Sequence, residues 1–519
     1  MNKNRLVWTM LGSLALTVAF VLATSVAARG NLPADSTVAT PFPNCRYGVA
    51  ATVNRPDWLT NLGVGWYLDF GAHAPTGPGN LEFAQVVRIK QNKSGCTYLS
   101  GYSVTPPLTD ASGGLGELVA ANPGALWIIG NEPDRGPDAG KCAPGQDDTF
   151  PDVYATAYHD VYYFIKQRDA TAQAAVAGLV QVTPGRLQYL DKVWQAYLQQ
   201  FNAAMPVDVW NMHLYILPEA LPDGRPNDIA NIALGTDAAL AIRESGNNAA
   251  ICSNPNDNVY CFAEHDSLTI FAQQITAMRT WMKQHGQQNK PLILSEYSIL
   301  FPSWMQDEYG AYFSPARITS FMTKTFNYLE NATDPNLGYP LDHNRLVQQW
   351  MWFSLYYDGA GASSSLLTSD LASLTQVGQV FSTTVRNLTT YADLVPGRAA
   401  SIVAFTPAPS ETVTVTLSAD IYNHGNTSAS GPITVTFYST EQIGSAVITE
   451  TIGSVTITEA LGGCARRSAT VTTTWANLPT GPHRYWAGVE GDSVYTDDNI
   501  AQGVVLVNPM QVFLPAILR

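Results

Sequence analysis

The chain has 519 residues, 46% of them hydrophobic, which is enough for one large domain with its own core and a second, smaller domain. Only 13% of the residues are charged, and the formal net charge is −14. This acidic balance excludes nucleic acid as a partner, because the chain has no basic patch that could neutralise phosphates. A neutral polysaccharide is compatible with it.

The N-terminus has the pattern of a secretory signal. Lys3 and Arg5 precede an apolar run over 6–23, and small residues follow it. We therefore predict a signal peptide over 1–28 and an extended leader over 29–44, which makes the expected location secreted, extracellular or at the cell surface. An uncleaved membrane anchor is the alternative, because the apolar run is long enough to span a bilayer.

The six cysteines are candidates for disulfides in an exported protein. Cys252 and Cys261 lie close together in one polar stretch, and we predict that they pair. The pairing of the other four is ambiguous: Cys45, Cys96, Cys142 and Cys464. Among these, the pair Cys96–Cys142 is favoured, because both residues would follow neighbouring strands at the same face of the fold.

Between 45 and 390, apolar segments of strand length alternate with segments of helical periodicity. The predicted strands are 46–52, 64–71, 83–90, 125–129, 174–180, 207–215, 291–297 and 347–357. The predicted helices are 116–122, 153–165, 187–197, 270–282, one that begins at Ser314 and Pro315, and 374–388. This alternation predicts an α/β fold, a (β/α)8 TIM barrel over 45–390.

The pattern changes beyond a linker at 391–400. Polar and apolar residues alternate strictly over 412–417 and 433–437, which is strand periodicity, and helical patterns are absent. Short strands between glycine, proline and asparagine turns predict a small all-β, Ig-like sandwich over 401–511, followed by a tail over 512–519.

Two predicted strands each end in a glutamate. The fourth runs into Gly130-Asn131-Glu132-Pro133, and the seventh ends at Glu296. Because the carboxyl ends of barrel strands meet at one face, we expect these two carboxylates to lie close together. Hydrolysis of a glycosidic bond needs such a pair. The alternative is that both glutamates form surface ion pairs.

The Asn131-Glu132-Pro133 motif resembles the Asn-Glu-Pro signature of the clan A glycoside hydrolases, which are TIM barrels. The residues around this motif are most similar to those of the "glycosyl hydrolase catalytic core" group of β-glucanases. The resemblance implies that Glu132 is the acid/base, that Glu296 is the nucleophile and that configuration is retained. We expect burial and the charge of Glu296 to raise the pKa of Glu132, and hydrogen bonds to keep Glu296 ionised.

The same resemblance implies further substrate-binding residues. Asn131 would bind the sugar 2-hydroxyl, His213 or Tyr215 would contact the nucleophile or the sugar, and Trp352 would stack on the sugar. Trp350 competes for this last role, because it lies on the same face of the eighth strand. The alternatives are a helix cap for Asn131, a structural role for His213 and core packing for both tryptophans.

The second strand departs from the clan pattern. Many clan members have an arginine at its end that orients the nucleophile, whereas this chain has Asp69 there. The nearest candidate is Arg88 on the third strand. Asp69 and Trp66 are candidates for lining the site, with core packing as the alternative for Trp66.

The C-terminal segments 422–427 and 494–499 are similar to motifs of bacterial CARDB-type domains. The sequence as a whole predicts a secreted retaining β-glycosidase, an endo-β-glycanase that acts as a monomer on a β-linked polysaccharide or oligosaccharide without cofactor or metal. Its C-terminal domain would attach it to the cell surface. The alternative is a cell-surface carbohydrate-binding or adhesion protein with an inactive barrel. The sugar and linkage are undetermined, because they depend on loops such as 217–266.

Overall fold

A computed structural model describes residues 43–509, except positions 139, 143–144, 245–258, 261–262, 398, 407, 409, 444–445, 466 and 492–493. The chain forms two units that divide between Leu388 and Thr389. Within the described residues, no helix is both long and apolar enough to cross a membrane. The predicted signal peptide, most of the leader, the Cys252–Cys261 pair and the tail lie outside the described residues.

The first unit alternates short buried strands with helices. Its strands are β1 (Asn44–Ala50), β2 (Val64–Leu68), β3 (Glu82–Phe83), β4 (Gln85–Ser94), β5 (Thr97–Thr105), β6 (Leu126–Ile129), β7 (Gln173–Val176), β8 (Trp210–His213), β9 (Val259–Tyr260), β10 (Leu292–Tyr297), β11 (Gln306–Asp307) and β12 (Gln349–Trp352). Its helices are α1 (Pro56–Leu62), α2 (Leu115–Ala121), α3 (Pro151–Arg168), α4 (Pro184–Phe201), α5 (Leu268–Gln284), α6 (Pro315–Asn331) and α7 (Gln376–Arg386).

Most of these strands form two curled sheets. One is parallel, in the order β3-β2-β1-β12-β10-β8, and the other has the order β5-β4-β6-β7, with β5 antiparallel to β4. At one border a single parallel bridge joins Ala175 to Val209, and at the other the chain passes from β3 to β4 through Ala84. Pairing is interrupted at these two places, so the described strands form an open, curled structure rather than the closed barrel that the sequence predicts.

The central strands are continuous apolar runs because both of their faces are covered. Every residue of β6 and β10 is buried, as in a parallel sheet with helices packed on it. The predicted start of α6 is confirmed: the Ser314 side chain accepts a hydrogen bond from the backbone of Arg317, and Pro315 follows as the first helical residue.

The hairpin β4–β5 is absent from the sequence prediction, which ends the third strand at Lys90. In the structure β4 continues to Ser94 and pairs with β5. Many residues of this extension are exposed and polar, so the apolar pattern does not predict it. Its pairing with β5 stabilises it instead. The favoured disulfide Cys96–Cys142 is confirmed, with Cys96 in the turn of this hairpin.

The fifth, sixth and eighth strands are shorter than predicted. They end at Val176, His213 and Trp352, whereas the predictions extend to 180, 215 and 357. The residues beyond each strand are still mostly buried, which is why their apolar pattern continues past the hydrogen-bonded part. These buried extensions carry several side chains of the site described below.

The second unit is all β. Its strands are β13 (Leu394–Pro396), β14 (Ser401–Ala404), β15 (Val413–Asn423), β16 (Ile433–Ile443), β17 (Ala446–Ile457), β18 (Ala469–Leu478), β19 (Gly481–Glu490) and β20 (Ile500–Val507). They form sheets of order β13-β15-β18 and β14-β20-β19-β16-β17. Alternate residues of β15 point into a core shared with residues of the other sheet, which confirms the predicted period of two. The Ig-like topology stays a prediction.

Candidate active site

Two strand ends bring Glu132 and Glu296 together. Glu132 follows β6 and Glu296 lies near the end of β10, and both carboxylates are buried, with 5% and 8% of each residue exposed. Their nearest oxygens lie within 4.8 Å of each other. Retaining glycosidases hold their two carboxyl groups about 5–5.5 Å apart, and inverting enzymes about 6.5–9.5 Å apart. The nearest oxygens of this pair are thus closer together than either of these separations.

His213 and Tyr215 connect the two carboxylates to the end of β8. The Nδ1 atom of His213 lies 3.0 Å from Oε1 of Glu132 and 3.8 Å from Oε2 of Glu296. The hydroxyl of Tyr215 donates a 2.6 Å hydrogen bond to Oε1 of Glu296. Both sequence-predicted residues thus contact the pair, with His213 between the two carboxylates and Tyr215 bound to one of them.

Gly178 is a site residue that the sequence analysis missed. Its carbonyl accepts a 3.0 Å hydrogen bond from the backbone N–H of Glu132, and its missing side chain leaves room for His213. A Cβ atom at this position would overlap Cδ2 and Nε2 of the imidazole. A glycine inside the predicted strand over 174–180 is the only sequence signal for this close approach.

The electrostatics of Glu296 follow from its burial. Burial raises the pKa of Glu296 to about 7. The positive charge of His213 and the hydrogen bond from Tyr215 oppose this rise, whereas the negative charge of Glu132 adds to it. Glu296 therefore carries a proton for much of the population near neutral pH.

Glu132 has the opposite balance. Burial raises its pKa, but the hydrogen bond and charge of His213, together with the charges of Arg135 and Arg186, outweigh burial and leave the pKa of Glu132 below its usual value. The sequence analysis predicted the reverse order. The difference arises because His213 donates to Glu132 and lies farther from Glu296.

Arg88 positions the loop that carries Asn131, and its hydrogen bonds do not reach Glu296. Its Nε atom donates a 2.6 Å hydrogen bond to Asp147, and the other oxygen of Asp147 accepts from the backbone of Ile89 at 3.0 Å and of Asn131 at 2.7 Å. The side-chain amide of Asn131 donates to Gln146 at 3.4 Å. Asn131 thus lies beside the carboxylates, held by Asp147, and it does not cap a helix.

The three tryptophans lie in the core and not in the pocket that holds the carboxylates. Trp352 donates from Nε1 to a backbone carbonyl at 2.9 Å and packs against Phe326 of α6. Trp350 contacts Tyr47 edge-on, and Trp66 is fully buried. This corrects the prediction of Trp350 and Trp352 as sugar-contacting residues, because the face of β12 that carries both indoles is turned towards the helices. Trp66 packs in the core, which was the alternative to its lining the site.

Other side chains form the pocket around the carboxylates. Its volume is about 60 Å³, and it is lined by Glu132, Arg135, Gln146, Val180, Tyr215, Leu217, Ile229, Glu296, Leu300, Phe353 and Tyr357. Phe353 directly follows the predicted Trp352, so a shift of one residue moves the aromatic ring to the other face of the strand. The space is small beside the roughly 300–1,000 Å³ of ordinary ligand pockets.

Asp69 lies outside this pocket. It lines a separate cavity of about 320 Å³ near the ends of β1 and β2, together with His73 and Tyr67. The Nε2 atom of His73 lies 2.7 Å from Asp69, and this hydrogen bond raises the pKa of the imidazole. The structure therefore corrects the prediction that Asp69 lines the same site as the two glutamates.

A buried arginine, missed in the sequence analysis, holds the loops around the site. Arg186, at the start of α4, pairs with Asp134 and, through Nε at 2.8 Å, with Glu219. Its Nη2 atom donates to the carbonyls of Ala230 and Asn231 at 2.6 and 2.9 Å. Asp134 closes the Asn-Glu-Pro-Asp sequence, so Arg186 joins the Glu132 loop to the segment that follows β8.

The site also has a geometry at which a metal ion could be held. Among the described residues of the first unit, one ligand atom each from Glu132, His213 and Glu296 lie within 4.8 Å of one another. In the structure these atoms are instead engaged in hydrogen bonds from His213 to Glu132 and from Tyr215 to Glu296. Each carboxylate thus has a hydrogen-bond donor, His213 for Glu132 and Tyr215 for Glu296.

No protein-family model and no curated protein matches the chain. Among solved structures, it is similar to a GH128 (subgroup I) endo-β-1,3-glucanase from Amycolatopsis mediterranei in complex with laminaritriose, at 15% identity and a TM-score of 0.38, over 65% of this chain and 98% of that one. It is similar to a glucosidase from Croceicoccus marinus at 12% identity and a TM-score of 0.39, over 84% and 94% of the two chains. It is also similar to a CARDB domain from Pyrococcus furiosus with two metal ions, at 18% identity and a TM-score of 0.17, over 23% and 93%.

Proposed function

We propose that the protein is a retaining glycoside hydrolase that cleaves β-glycosidic bonds by double displacement. The observation that carries this proposal is the pair of buried carboxylates, Glu132 and Glu296, with oxygens within 4.8 Å of each other at the ends of parallel strands. A water molecule that attacks directly, as in an inverting enzyme, needs a wider gap. The short gap instead favours attack by a carboxylate on the anomeric carbon.

The proposed roles follow the sequence. Glu296 attacks the anomeric carbon while Glu132 protonates the leaving oxygen, and a glycosyl–enzyme ester forms. Glu132 then takes a proton from the water that attacks this ester, so the sugar leaves with its original configuration and Glu132 is protonated again. The hydrogen bond from Tyr215 stabilises Glu296 as a carboxylate, both before the attack and when it leaves in the second step.

His213 provides a route for the proton in the ligand-free site. The protonated imidazole gives its Nδ1 proton to Glu132, 3.0 Å away. It then accepts the proton of Glu296, which lies 3.8 Å from Nδ1, once the two side chains approach to hydrogen-bond distance. The result is a protonated Glu132 and an ionised Glu296, which is the state that the first step requires. The pKa of His213 is raised: burial lowers it, but the charges of Glu296 and Glu132 and the hydrogen bond to Glu132 outweigh burial.

The pH dependence of this site is expected to depend on Tyr215. The first step needs one proton on Glu132 and none on Glu296, and the proton that the pair holds is lost to water as the pH passes the pKa of Glu296, about 7, so kcat/KM of the wild type should fall above that region. Tyr215→Phe removes a hydrogen bond that lowers the pKa of Glu296, so the falling limb should move to higher pH. The measurement is the pH profile of kcat/KM. Tyr357→Phe is the control, since Tyr357 lines the same pocket and no hydrogen bond joins it to Glu296; an unshifted limb in Tyr215→Phe would contradict the role of Glu296.

An exposed aromatic loop supports a polymeric substrate. Trp304, Tyr309 and Tyr312 are each more than half exposed on the segment between β10 and α6, which begins beside Leu300 of the pocket. Large aromatic rings combine an apolar face with a polar edge, and this suits them to amphipathic ligands such as sugar rings. We therefore propose an extended β-glycan, cut internally, as the substrate.

The activity is tested by reducing-sugar release from a panel of β-glucans, mannans, xylans and galactans. We expect release from at least one polymer, and longer products at early times if the cut is internal. The configuration of the first product, followed by NMR, should be that of the substrate. A first product of inverted anomeric configuration would rule out the double-displacement mechanism. Binding without any release would favour the rival proposal, a cell-surface carbohydrate-binding protein.

Export and attachment complete the proposal. The signal pattern over 1–28 supports a secreted or cell-surface protein. The all-β second unit would act as a spacer or as the attachment to the cell surface.

A further inference from the structure

One nitrogen of the Arg135 guanidinium has no hydrogen-bond partner among the described residues. The side chain is only 5% exposed. Its Nε atom donates to the carbonyl of Ile229 at 3.3 Å, and Nη2 donates to Asp138 at 3.2 Å and to the carbonyl of Asp228 at 3.0 Å. The nitrogen without a partner is Nη1. A buried N–H group in this state is destabilising, so its retention calls for an explanation.

The position of Arg135 supplies that explanation. It lines the same pocket as Glu132 and Glu296. The loop is also shaped around it, because a Cβ atom at Gly145 would lie 2.6 Å from Nη1 and would overlap the carbonyl oxygen of Gly136. The guanidinium therefore occupies space that only a glycine at position 145 leaves open. The place of Arg135 in the lining of this pocket points to a donor kept for a ligand.

The bonding of the other nitrogens limits which ligand fits. Arginine binds a carboxylate through two parallel N–H donors, but here Nε and Nη2 are already engaged. The pocket also holds Glu132 and Glu296, whose negative charges repel an anionic ligand. One unpartnered nitrogen beside two carboxyl groups suits a neutral oxygen, such as a sugar hydroxyl, better than a uronate carboxylate.

We propose that Nη1 of Arg135 donates a hydrogen bond to one hydroxyl of an uncharged sugar that flanks the cleaved bond, so that Arg135 determines specificity. The inference rests on the proposed glycosidase function and deepens it: the substrate is a neutral β-glycan. Loss of that hydroxyl from the substrate leaves the same donor unpaired again, and this gives the discrimination.

The test compares substrates that differ by one hydroxyl. The probes are the 4-nitrophenyl β-oligosaccharide of the sugar that the polymer panel identifies and its monodeoxy analogues in either sugar next to the bond. In the wild type, one analogue should lose about 10- to 100-fold in kcat/KM, as expected for a hydrogen bond to a charged group. Arg135→Lys keeps the charge opposite Asp138. In this variant kcat/KM on the parent substrate should fall by a similar factor, and kcat/KM on that analogue should equal the wild-type value.

A purely structural role would give a different result. If Arg135→Lys slowed the parent and every analogue by the same factor, the proposed hydrogen bond would be wrong. Arg317→Lys is the matched control: Arg317 pairs with Asp266 and Asp307 outside the pocket, so this variant should show no coupling to any deoxy analogue. Circular dichroism shows whether both variants fold. If they do not, kcat/KM of the wild type on the monodeoxy analogues alone decides whether the site recognises one hydroxyl.

The test also separates this inference from the proposed function. If no substrate is hydrolysed, titration calorimetry with neutral and uronate oligosaccharides replaces the kinetics. Weaker binding of the neutral probe to Arg135→Lys than to the wild type would support the inference even without catalysis. Equal binding by the two proteins, a preference for the uronate or absence of binding would each overturn it.

Discussion

Replacing Glu296 by alanine should lower kcat by roughly 10⁴-fold or more, because the variant lacks the atom that forms the covalent intermediate. The side chain is buried, yet its partners are few: Tyr215 donates to one oxygen, and His213 lies 3.8 Å from the other. The measurement is the initial rate on the best polymer of the panel. Glu117→Ala, at an exposed position on α2, is the control and should retain full activity.

Sodium azide distinguishes the roles of the two carboxylates. In Glu296→Ala, azide can enter the vacated space and attack directly, so the product should be a glycosyl azide of inverted configuration. In Glu132→Ala, Glu296 still forms the covalent intermediate, so azide should give the retained configuration. Glu132→Ala should lose about 10²–10⁴-fold on polymers, and less on substrates whose leaving group needs no proton. If Glu296→Ala gave the retained azide and Glu132→Ala the inverted one, Glu132 would be the nucleophile and Glu296 the acid/base.

The positions of the two glutamates could be predicted because the signal is local. Apolar runs over 126–129 and 292–294 precede the two carboxylates by a few residues, and strand ends in a parallel sheet share one edge. The contacts of His213 and Tyr215 follow from the same rule. Each of these predictions needs only a strand, its direction and a period of two.

The aromatic residues of the site could not be predicted in this way. Trp350 and Trp352 do share one face, as expected, but that face packs against α6 and the pocket receives Phe353 and Tyr357 instead. Periodicity gives the relative orientation of neighbouring side chains and not which side is the core. Both faces of this strand are buried, so hydrophobicity does not distinguish them.

The sequence also could not predict which of the two glutamates has the higher pKa. It depends on whether Nδ1 of His213 lies closer to Glu132 or to Glu296, and these distances are 3.0 and 3.8 Å. A difference below 1 Å between these two distances contributes to which carboxyl pKa is raised and which is lowered. Local patterns place the residues but do not resolve distances on this scale.

Arg186 is the clearest residue whose role depends on distant partners, and removing it should cause a large loss of stability. The side chain is fully buried and pairs with Asp134 and Glu219, so Arg186→Met leaves two buried carboxylates without their cation. Breaking a buried ion pair in this way costs about 3–5 kcal/mol. Chemical denaturation, followed by a signal from the first unit, should show this decrease in the free energy of unfolding.

A surface pair in the same region provides the matched control. Arg225 and Asp223 are 74% and 53% exposed, and water screens their attraction, so Arg225→Met should change stability by less than about 1 kcal/mol. Adding Glu219→Gln to Arg186→Met should recover part of the loss, because it removes one uncompensated charge. A loss in Arg186→Met no larger than in Arg225→Met would show that the buried carboxylates find other partners or protons. The loop after β8 would then not depend on Arg186 for its position beside Glu132.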